Sequence, residues 1–311
     1  MTAALGLDTS NYTTSAAVCR ADGTGLNASK LLEVREGALG LRQSEALFQH
    51  VKALPERLRE LEAQGMLRGL SAVGASTRPR EAEGSYMPCF LPGASLGESL
   101  AAVLGVPFYR FSHQQGHVAA VCWSAGRLDL LDRPMLAWHL SGGTTELLLA
   151  VPEGRNVHCA RIGGTTDLSA GQLIDRTGQM LKVPFPSGKA LDRLSQFSER
   201  KDAFRVRLQG LEFSLSGVEN QVRDRVAAHA LPSDVARFTL LTVASAVVRA
   251  TRAARRQYPG LPVLCSGGVA SNTLLRRALE GEGAVFADGA YSTDNAMGTA
   301  VLTLRQLGQG D

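Results

Sequence analysis

The 311-residue sequence lacks several features that would each define a class of protein. Its five cysteines form no Cys-x-x-Cys pair, which argues against a disulfide framework and predicts a reducing compartment. The longest weakly polar run covers only residues 239–248, too few to span a bilayer, so no membrane association is expected. The N-terminal residues form neither a basic leader nor a long apolar stretch. We therefore expect a cytoplasmic protein without a secretory signal.

Two common nucleotide-binding motifs are also absent. The sequence contains neither GxxxxGK[ST], the phosphate loop, nor GxGxxG, the dinucleotide fingerprint. Its composition is nevertheless that of an ordinary globular protein, with 44% hydrophobic and 20% charged residues. At ~150 residues per domain, this length predicts about two domains.

Lysine is scarce, because it supplies only five of the 33 basic residues and arginine supplies the rest. The formal net charge is +4, but residues 176–256 alone hold 15 basic and 7 acidic side chains. A segment with this excess suits a polyanion such as nucleic acid. It is equally consistent with a solvated face of an arginine-rich protein, and the composition does not separate the two interpretations.

An internal similarity links the two halves of the chain. Residues 4–19 read ALGLDTSNYTTSAAVC and residues 136–151 read LAWHLSGGTTELLLAV, each an apolar run, a polar turn and a second apolar run. Both patterns predict β-hairpins, and the strands and helices after each one predict an α/β protein with a duplicated core. We expect a first lobe at 1–133, a second lobe with a basic helical insertion at 134–290, and a C-terminal helix at 291–311 that returns to the first lobe.

Three turns are rich in small and hydroxyl residues: Asp8-Thr9-Ser10, Ser141-Gly142-Gly143-Thr144 and Ser266-Gly267-Gly268-Val269. Backbone N–H groups and hydroxyls at such turns can hold phosphate oxygens, although hairpin geometry alone also favours these residues. The order of two hairpins and then a glycine pair before a helix resembles the actin-like and sugar-kinase-like ATPase superfamily. That resemblance implies an α/β fold of two similar lobes, with a nucleotide and metal cleft between them.

Two histidines lie four residues apart in His113-Gln114-Gln115-Gly116-His117, a spacing that places both on one face of a helix. A divalent transition metal needs a third ligand, usually a carboxylate, and Asp294 near the final helix is the best candidate. The alternative is that Asp294 serves as the N-cap of that helix. The zinc-protease motif HExxH is absent, because Gln114 occupies the position of its glutamate.

A series of motifs then matches one known family. The chain resembles the TsaD-type tRNA threonylcarbamoyladenosine transferases, also called the glycoprotease family, over nearly its whole length. The motifs that carry this resemblance are DTSNYTTSAAV, HQQGH, LSGGTTEL, SAGQLIDRTGQMLKVPFPSG, FSLSG, SGGVASN and STDNA.

The resemblance implies one divalent metal, iron or zinc, held by His113, His117 and Asp294. It places Asp8 close to the metal or to the phosphate of the ligand. It also implies that a carboxylate, Asp8 or Asp175, accepts the proton of the attacking amine.

ATP or threonylcarbamoyl-adenylate is the nucleotide that the resemblance implies. Asp167, Gly171 and Asp175 would hold the ribose and its neighbours, and Asn272 would contact the adenine side. The full set of implied nucleotide-binding residues is Thr9, Ser10, Ser141, Gly142, Gly143, Thr144, Asp167, Gly171, Asp175, Gly267, Gly268 and Asn272.

The implied reaction moves a threonylcarbamoyl group from its adenylate to the exocyclic amine of the tRNA adenosine next to the anticodon. The basic segment 176–256 would then suit tRNA phosphates. Members of the family work with protein partners. The amphipathic pattern at residues 41–63 predicts a helix that would serve as an interface with a partner or a second copy, or that would simply pack on the lobe.

Several positions depart from the family pattern and indicate a divergent paralog. Tyr12 and Thr13 replace an acidic pair, Thr144 replaces a histidine, and Gln172 replaces a glutamate. A glycine-rich loop is replaced by STRPREAEGSYMPCF at residues 76–90. Two alternatives follow: a carbamoyl-type transferase with another acceptor, or a non-catalytic nucleotide-binding partner subunit. The presence of all three implied metal ligands argues against the latter.

Overall fold

The computed structural model describes residues 2–10, 12–34 and 41–308. The chain divides into two compact units. Unit 1 comprises Met1–Pro134, Ala150–Ala160 and Asp294–Asp311, and unit 2 comprises Met135–Leu149 and Arg161–Thr293. The lobe boundaries expected at 133/134 and 290/291 stay predictions.

The strands of the described residues form two sheets, and helices follow them along the chain. The strands are β1 (Ala3–Asp8), β2 (Thr13–Arg20), β3 (Gly25–Leu31), β4 (Leu70–Arg78), β5 (Phe108–Ser112), β6 (Met135–Leu140), β7 (Thr145–Glu153), β8 (Asn156–Thr165), β9 (Leu208–Gln209), β10 (Glu212–Phe213), β11 (Val263–Ser266) and β12 (Ala284–Phe286). The α-helices are α1 (Gln43–Ala63), α2 (Leu91–Leu104), α3 (His113–Ser124), α4 (Ala170–Met180), α5 (Gly188–Ser195), α6 (Ser216–Ala227), α7 (Pro232–Gln257), α8 (Thr273–Glu280) and α9 (Met297–Leu307).

The first sheet has five strands in the order β3-β2-β1-β4-β5. β1 pairs antiparallel with β2 and parallel with β4, and β4 pairs parallel with β5. The carboxyl ends of β1, β4 and β5 therefore meet at one edge, which brings together Asp8, Ser76 and the start of α3.

The second sheet has seven strands in the order β12-β11-β6-β7-β8-β10-β9. Its segment β8-β7-β6-β11-β12 repeats the order of the first sheet, so the duplicated core predicted from the two hairpin patterns is confirmed. β6 and β11 are parallel, and their carboxyl ends carry the turns at Ser141 and Gly267 along one edge. Trp138 on β6 is fully buried, and its indole N–H donates to the hydroxyl of Thr251 on α7 at 2.8 Å.

α9 packs closely against α3 in unit 1. A Cβ atom on Gly298 would lie 1.7 Å from the carbonyl oxygen of Gly116, so only glycine permits this helix crossing. The glycine between the two histidines of α3 is thus at a helix–helix contact, which holds the segment before α9 near those histidines.

Within the described residues, no helix is both long enough and apolar enough to cross a bilayer.

Candidate functional site

The start of α3 is fixed by a reciprocal cap between Ser112 and Gln115. The Ser112 hydroxyl accepts from the backbone N–H of Gln115 at 3.3 Å, and the Gln115 side chain accepts from the N–H of Ser112 at 2.7 Å. Because the helix begins at this point, His113 lies in its first turn and His117 lies one turn later on the same face.

Three side chains of unit 1 converge at this helix start. The Nε2 atoms of His113 and His117 are 2.8 Å apart, and Asp294 Oδ1 lies 3.5 Å and 3.4 Å from them. The N-cap of α9 is Ala296, so the alternative that Asp294 caps the final helix is wrong. Its carboxylate is directed to the two imidazoles instead.

Asp8 lies behind His113 as its hydrogen-bond partner. Its Oδ2 accepts from His113 Nδ1 at 2.9 Å and from the Ser76 hydroxyl at 2.5 Å, while its Oδ1 accepts from the N–H of Ser10 at 2.9 Å. The Asp8 side chain is only 1% exposed. A carboxylate on Nδ1 fixes the orientation of the ring and directs Nε2 towards His117 and Asp294.

The charges of this cluster are strongly coupled. Burial favours the neutral ring of His113, but the carboxylates of Asp8 and Asp294 outweigh it and raise the pKa of His113 to about 10. Burial and the neighbouring His113 charge lower the pKa of His117. The two histidines hold the pKa of Asp294 well below its usual range despite its burial. The cluster therefore favours one positive charge between the two carboxylates.

The donor set fits a divalent transition metal. The ligand atoms of His113, His117 and Asp294 all lie within 4.8 Å of one another. Two facing Nε2 atoms at 2.8 Å cannot both carry a proton, so at least one lone pair points into the cluster. Two imidazoles and one carboxylate are ligands that iron and zinc accept, with coordination positions left for a substrate.

A second group of possible ligand atoms in unit 1 comprises Glu81, Glu153 and His158. Glu81 already has other partners, since it accepts from the N–H of Cys159 at 3.0 Å and from the side chain of Gln115 at 2.9 Å. Gln115 therefore links α3 to the loop at 76–90, which departs from the family pattern.

In unit 2, the turn after β6 exposes backbone donors. The N–H of Ser141 donates to the carbonyl oxygen of Thr144 at 2.8 Å, and the N–H of Thr144 donates to the Ser141 hydroxyl at 3.1 Å. Gly142 and Gly143 are exposed, and no described residue accepts a hydrogen bond from their N–H groups. Such N–H groups are suited to phosphate oxygens.

Two further segments pack against this turn. A Cβ atom on Gly171 would lie 2.4 Å from Gly142 Cα, and one on Gly267 would lie 2.2 Å from the carbonyl oxygen of Leu140. The Ser169 hydroxyl donates to the carbonyl oxygen of Gly142 at 2.7 Å. The structure thus brings together the three glycine segments around Ser141 and Gly142, beside the N-terminus of α4.

The other predicted nucleotide residues of unit 2 each hold a neighbouring segment. Asp167 accepts from the Ser214 hydroxyl at 2.5 Å and from the N–H of Leu215 at 2.9 Å; these bonds outweigh partial burial and lower the pKa of Asp167 to about 2. Asp175 accepts from the N–H of Ser187 at 2.8 Å, and burial raises its pKa. Their predicted contacts with the ribose stay predictions.

Asn272 forms hydrogen bonds with both ends of its side-chain amide. It caps α8 by accepting from the N–H of Leu275 at 3.1 Å, and it donates to Asp192 on α5 at 2.9 Å. Gly268 lies next to Gly267, and a Cβ atom on Gly268 would meet only the Thr293 side chain, at 3.9 Å. The adenine contact predicted for Asn272 stays a prediction.

The hydroxyl residues after β1 lie in unit 1 and are buried. Thr9 is 0% exposed, and its hydroxyl accepts from the N–H of Gly93 on α2 at 3.3 Å. Ser10 is 3% exposed, and its carbonyl oxygen accepts from the Cys89 thiol at 3.1 Å. These contacts hold α2 and the segment before it, so the nucleotide-binding role predicted for Thr9 and Ser10 stays a prediction.

Comparison with known proteins decides the family. A family model described as tRNA N6-adenosine threonylcarbamoyltransferase matches residues 44–301. The chain belongs to this TsaD family. Its members are transferases, and the expectation that the chain is of that enzyme class is confirmed.

The relatives of this TsaD family member cover most of its length. A tRNA N6-adenosine threonylcarbamoyltransferase of Thermus thermophilus is 29% identical over 318 residues, which is 98% of this chain and 93% of that protein. The protein of the same description from Rhizobium etli is 30% identical over 304 residues, 89% of this chain and 80% of its own. A hexokinase of the ROK type from Thermus thermophilus superposes with a TM-score of 0.54 at 16% identity, covering 99% of this chain and 100% of that one. The sugar-kinase-like α/β fold predicted from the sequence is confirmed.

The departures from the family pattern have local explanations in the structure. Gln172 completes a cap at the start of α4, since its side chain accepts from the N–H of Ser169 at 3.2 Å. Thr144 closes the turn after β6, Thr13 is buried at the start of β2, and Tyr12 is 37% exposed. Thr144 and Gln172 thus stabilise a turn and a helix start through hydrogen bonds.

Ser76, Gln115 and Asp192 are functional candidates that the sequence analysis missed. The Ser76 hydroxyl donates to Asp8 at the edge of the first sheet, and the Gln115 side chain donates to Glu81 in the loop at 76–90. Asp192 accepts from the Asn272 side chain. A signal existed for Ser76, because residues 72–76 read AVGAS, a short run of small and apolar residues that suits a buried strand ending at Ser76.

Proposed function

We propose that this chain transfers a threonylcarbamoyl group from its adenylate to the exocyclic amine of the tRNA adenosine next to the anticodon, with one divalent metal. The observation that carries the proposal is the convergence of His113, His117 and Asp294 in a member of this family. Asp8 accepts from His113 Nδ1, the ring nitrogen opposite the one that faces the cluster. This orientation of the ring supports a metal site rather than a chance cluster of side chains.

The transfer is an acyl substitution. The amine nitrogen forms a bond with the carbonyl carbon of the carbamoyl group, the bond from that carbon to the phosphate oxygen breaks, and AMP leaves. A metal held by His113, His117 and Asp294 would supply Lewis-acid stabilisation of the negative charge that develops on oxygen.

The turns of unit 2 are suited to the nucleotide part of the donor. The free N–H groups of Gly142 and Gly143 and the N-terminus of α4 favour a phosphate. Gly171 lets the α4 terminus approach that turn. Hydrogen bonds from these N–H groups to the phosphate would stabilise AMP as the leaving group.

Asp175 is the better candidate for the proton acceptor. One of its oxygens accepts from Ser187, no described residue donates to the other, and burial raises its pKa. Both oxygens of Asp8 are already occupied by Ser10, Ser76 and His113. We therefore assign Asp175 the proton acceptor role and Asp8 the positioning of His113.

Transfer to tRNA is tested directly with the purified chain, its metal, and threonylcarbamoyl-adenylate. Nucleosides from a tRNA transcript are separated, and the threonylcarbamoylated adenosine is quantified by mass spectrometry. The control transcript carries guanosine in place of the target adenosine. The proposal fails if the wild-type chain, with metal and candidate partner proteins added, modifies neither transcript.

A second candidate is transfer of the same group to another acceptor. The observation that favours it is the loop at 76–90, which Gln115 and the N–H of Cys159 hold through Glu81. Small amines and amino acids offered in the same assay test it, with AMP release as the readout. The alternative of a non-catalytic partner subunit predicts no AMP release with any acceptor.

We also propose that α1 forms an interface with a protein partner. Phe48 and Val51 on α1 are 61% and 53% exposed, and Leu31 on β3 is 72% exposed. Leu31 and Phe48 line a groove of about 670 Å³ between β3 and α1. Light scattering of the wild type and of Phe48→Glu, alone and with candidate partners, tests whether this surface holds a second chain.

A further inference from the structure

The short helix α5 in unit 2 has one buried face and one face that is unusually exposed. Leu191 is fully buried against the core. On the other side, Lys189 and Arg193 are exposed, and two phenylalanines flank the helix with most of their surface in solvent. Phe185 is 75% exposed and Phe197 is 83% exposed.

These side chains follow a helical spacing. Lys189, Arg193 and Phe197 are four residues apart, which places them on one face. The turn continues beyond the helix end, because the N–H of Phe197 donates to the carbonyl oxygen of Leu194 at 3.2 Å. Phe185 lies three residues before the helix. We call Phe185, Lys189, Arg193 and Phe197 the α5 strip.

The two cations of the α5 strip are not neutralised within the described chain. Neither Lys189 nor Arg193 forms an ion pair with a described residue. The acidic residue of the same helix, Asp192, is engaged elsewhere, since it accepts from the Asn272 side chain at 2.9 Å and from the Thr273 hydroxyl at 2.7 Å. In chain order, the α5 strip thus has two unpaired cations between two exposed aromatic residues.

This combination points to single-stranded nucleic acid. Exposed aromatic rings stack on unpaired bases, and neighbouring cations bind the phosphates between those bases. An apolar peptide would cover the rings but would leave Lys189 and Arg193 uncompensated. The charge of the strip therefore favours a polyanion with flat apolar groups.

The α5 strip is also tied to the predicted nucleotide residues of the same unit. The N–H of Ser187, just before α5, donates to Asp175, the proposed proton acceptor, at 2.8 Å. Asp192 within α5 holds Asn272. The α5 strip therefore belongs to the same chain segment as Ser187 and Asp192, which contact Asp175 and Asn272.

We propose that the α5 strip is the docking surface for the unpaired nucleotides that flank the target adenosine in the anticodon loop. This inference rests on the proposed function, because it names a binding surface for the same acceptor. Phe185 and Phe197 would stack on bases, and Lys189 and Arg193 would contact phosphates.

The first test measures the affinity of the full chain for a fluorescent anticodon stem-loop RNA at several salt concentrations, without the adenylate. Loss of two phosphate contacts in Lys189→Gln/Arg193→Gln should reduce the slope of log Kd against log salt by about 1.4. The matched control is Arg68→Gln/Arg277→Gln, which removes two exposed arginines that lie outside the basic segment 176–256. Its slope should stay at the wild-type value, and an equal decrease in both variants would overturn the proposal.

The second test removes the rings. Phe197→Ala and Phe185→Ala should each weaken binding by about fivefold or more, an effect that persists at high salt because stacking is not screened. Leu231→Ala, at a residue 66% exposed, is the control for loss of an exposed apolar side chain and should bind as the wild type does. Thermal unfolding of every variant establishes that it is folded.

The outcomes separate this inference from the proposed function. Unchanged RNA affinity in the folded α5 variants overturns the docking surface, even if the wild type transfers the group to tRNA. A wild-type chain that does not bind the stem-loop at any salt concentration, or that binds a protein through the strip instead, also overturns it. Weakened RNA binding in the variants supports the surface whether or not transfer occurs, and the transfer assay alone then judges the proposed function.

Discussion

The two sheets share a strand order but end their strands in different chemistry. The first sheet carries Asp8 and Ser76 at the carboxyl ends of β1 and β4, and both are buried. The second sheet carries the Ser141 and Gly267 turns at the equivalent ends of β6 and β11. The first sheet therefore ends in side chains that orient an imidazole, and the second ends in backbone donors that face solvent. The residues at the strand ends, rather than the shared strand order, give each copy its chemistry.

The difference extends to how each site is held. In unit 1, Asp8 accepts three hydrogen bonds and fixes one imidazole, so the candidate metal site is organised by charged side chains. In unit 2, Gly171 and the N-terminus of α4 fit against the Gly142 turn, so the candidate phosphate site is organised by backbone contact. Removing a functional group should therefore damage the first site, and adding a methyl group should damage the second.

The largest effect is expected from His113→Ala/His117→Ala. Removal of two of three ligand side chains should abolish metal binding, because the remaining carboxylate cannot hold a transition metal alone. Metal per chain, measured by mass spectrometry after purification, should fall from about one to near zero. Calorimetry with adenine nucleotide tests whether the turns of unit 2 are still intact.

The control for the double variant is His229→Asn, at an exposed histidine with φ of 56°, a conformation that asparagine tolerates. It should retain the metal of the wild type. If the wild-type chain carries no iron or zinc even after reconstitution, the assignment of His113, His117 and Asp294 is wrong.

A smaller loss is expected from Asp8→Asn. The amide no longer stabilises the proton on His113 Nδ1 as a carboxylate does, so metal affinity should fall by about 10- to 100-fold while the ligands remain. Competition with a chelator of known affinity measures the change. Ser76→Ala, which removes only one hydrogen bond to Asp8, should fall between the wild type and Asp8→Asn. Equal metal affinity in all three proteins would show that Asp8 does not contribute to metal binding.

What the sequence could predict here depends on how local the signal is. The hairpins at 4–19 and 136–151 are readable because apolar runs and a turn lie within a few residues, and the spacing of His113 and His117 is readable within a single helical turn. The order of the strands repeats because the same pattern occurs twice. Local patterns of this kind were sufficient to predict the fold class and the shared helix face of the two histidines.

Contacts between distant segments were not readable in the same way. Ser76 bonds to Asp8 across 68 residues, and Asp192 bonds to Asn272 across 80. The sequence also could not separate the two interpretations of Asp294, because an N-cap and a metal ligand both precede a helix. The position of the N-cap at Ala296 rules out the cap, and the metal-ligand role of Asp294 stays a prediction.

Gly171→Ala should affect the second site alone. The added methyl group would lie 2.4 Å from Gly142 Cα and 2.5 Å from the carbonyl oxygen of Ser141, so the turn must move. We expect unfolding free energy to fall by about 1–3 kcal/mol and nucleotide affinity to fall with it, while metal content is unchanged. Gly217→Ala is the matched control, since Gly217 is also the second residue of a helix and a methyl group there meets no atom within 4 Å. Equal nucleotide affinity in the two variants would contradict a phosphate site at this turn.

The smallest effect is expected from Asp167→Asn. Asp167 is an exposed carboxylate, whereas Asp8 is a buried one. Both accept a serine hydroxyl and a backbone N–H, but solvent screens the bonds of Asp167. Its folded pKa, about 2, lies below the unfolded value of 3.8, so its stabilising contribution is fully present above the unfolded value and is lost as pH falls through about 2. The difference in melting temperature between wild type and Asp167→Asn should therefore be constant near neutral pH. It should decrease towards zero as pH falls from about 4 to 2. Melting curves over that range measure it, and a difference that persists below about pH 2 would show that the asparagine acts through packing rather than through the charge.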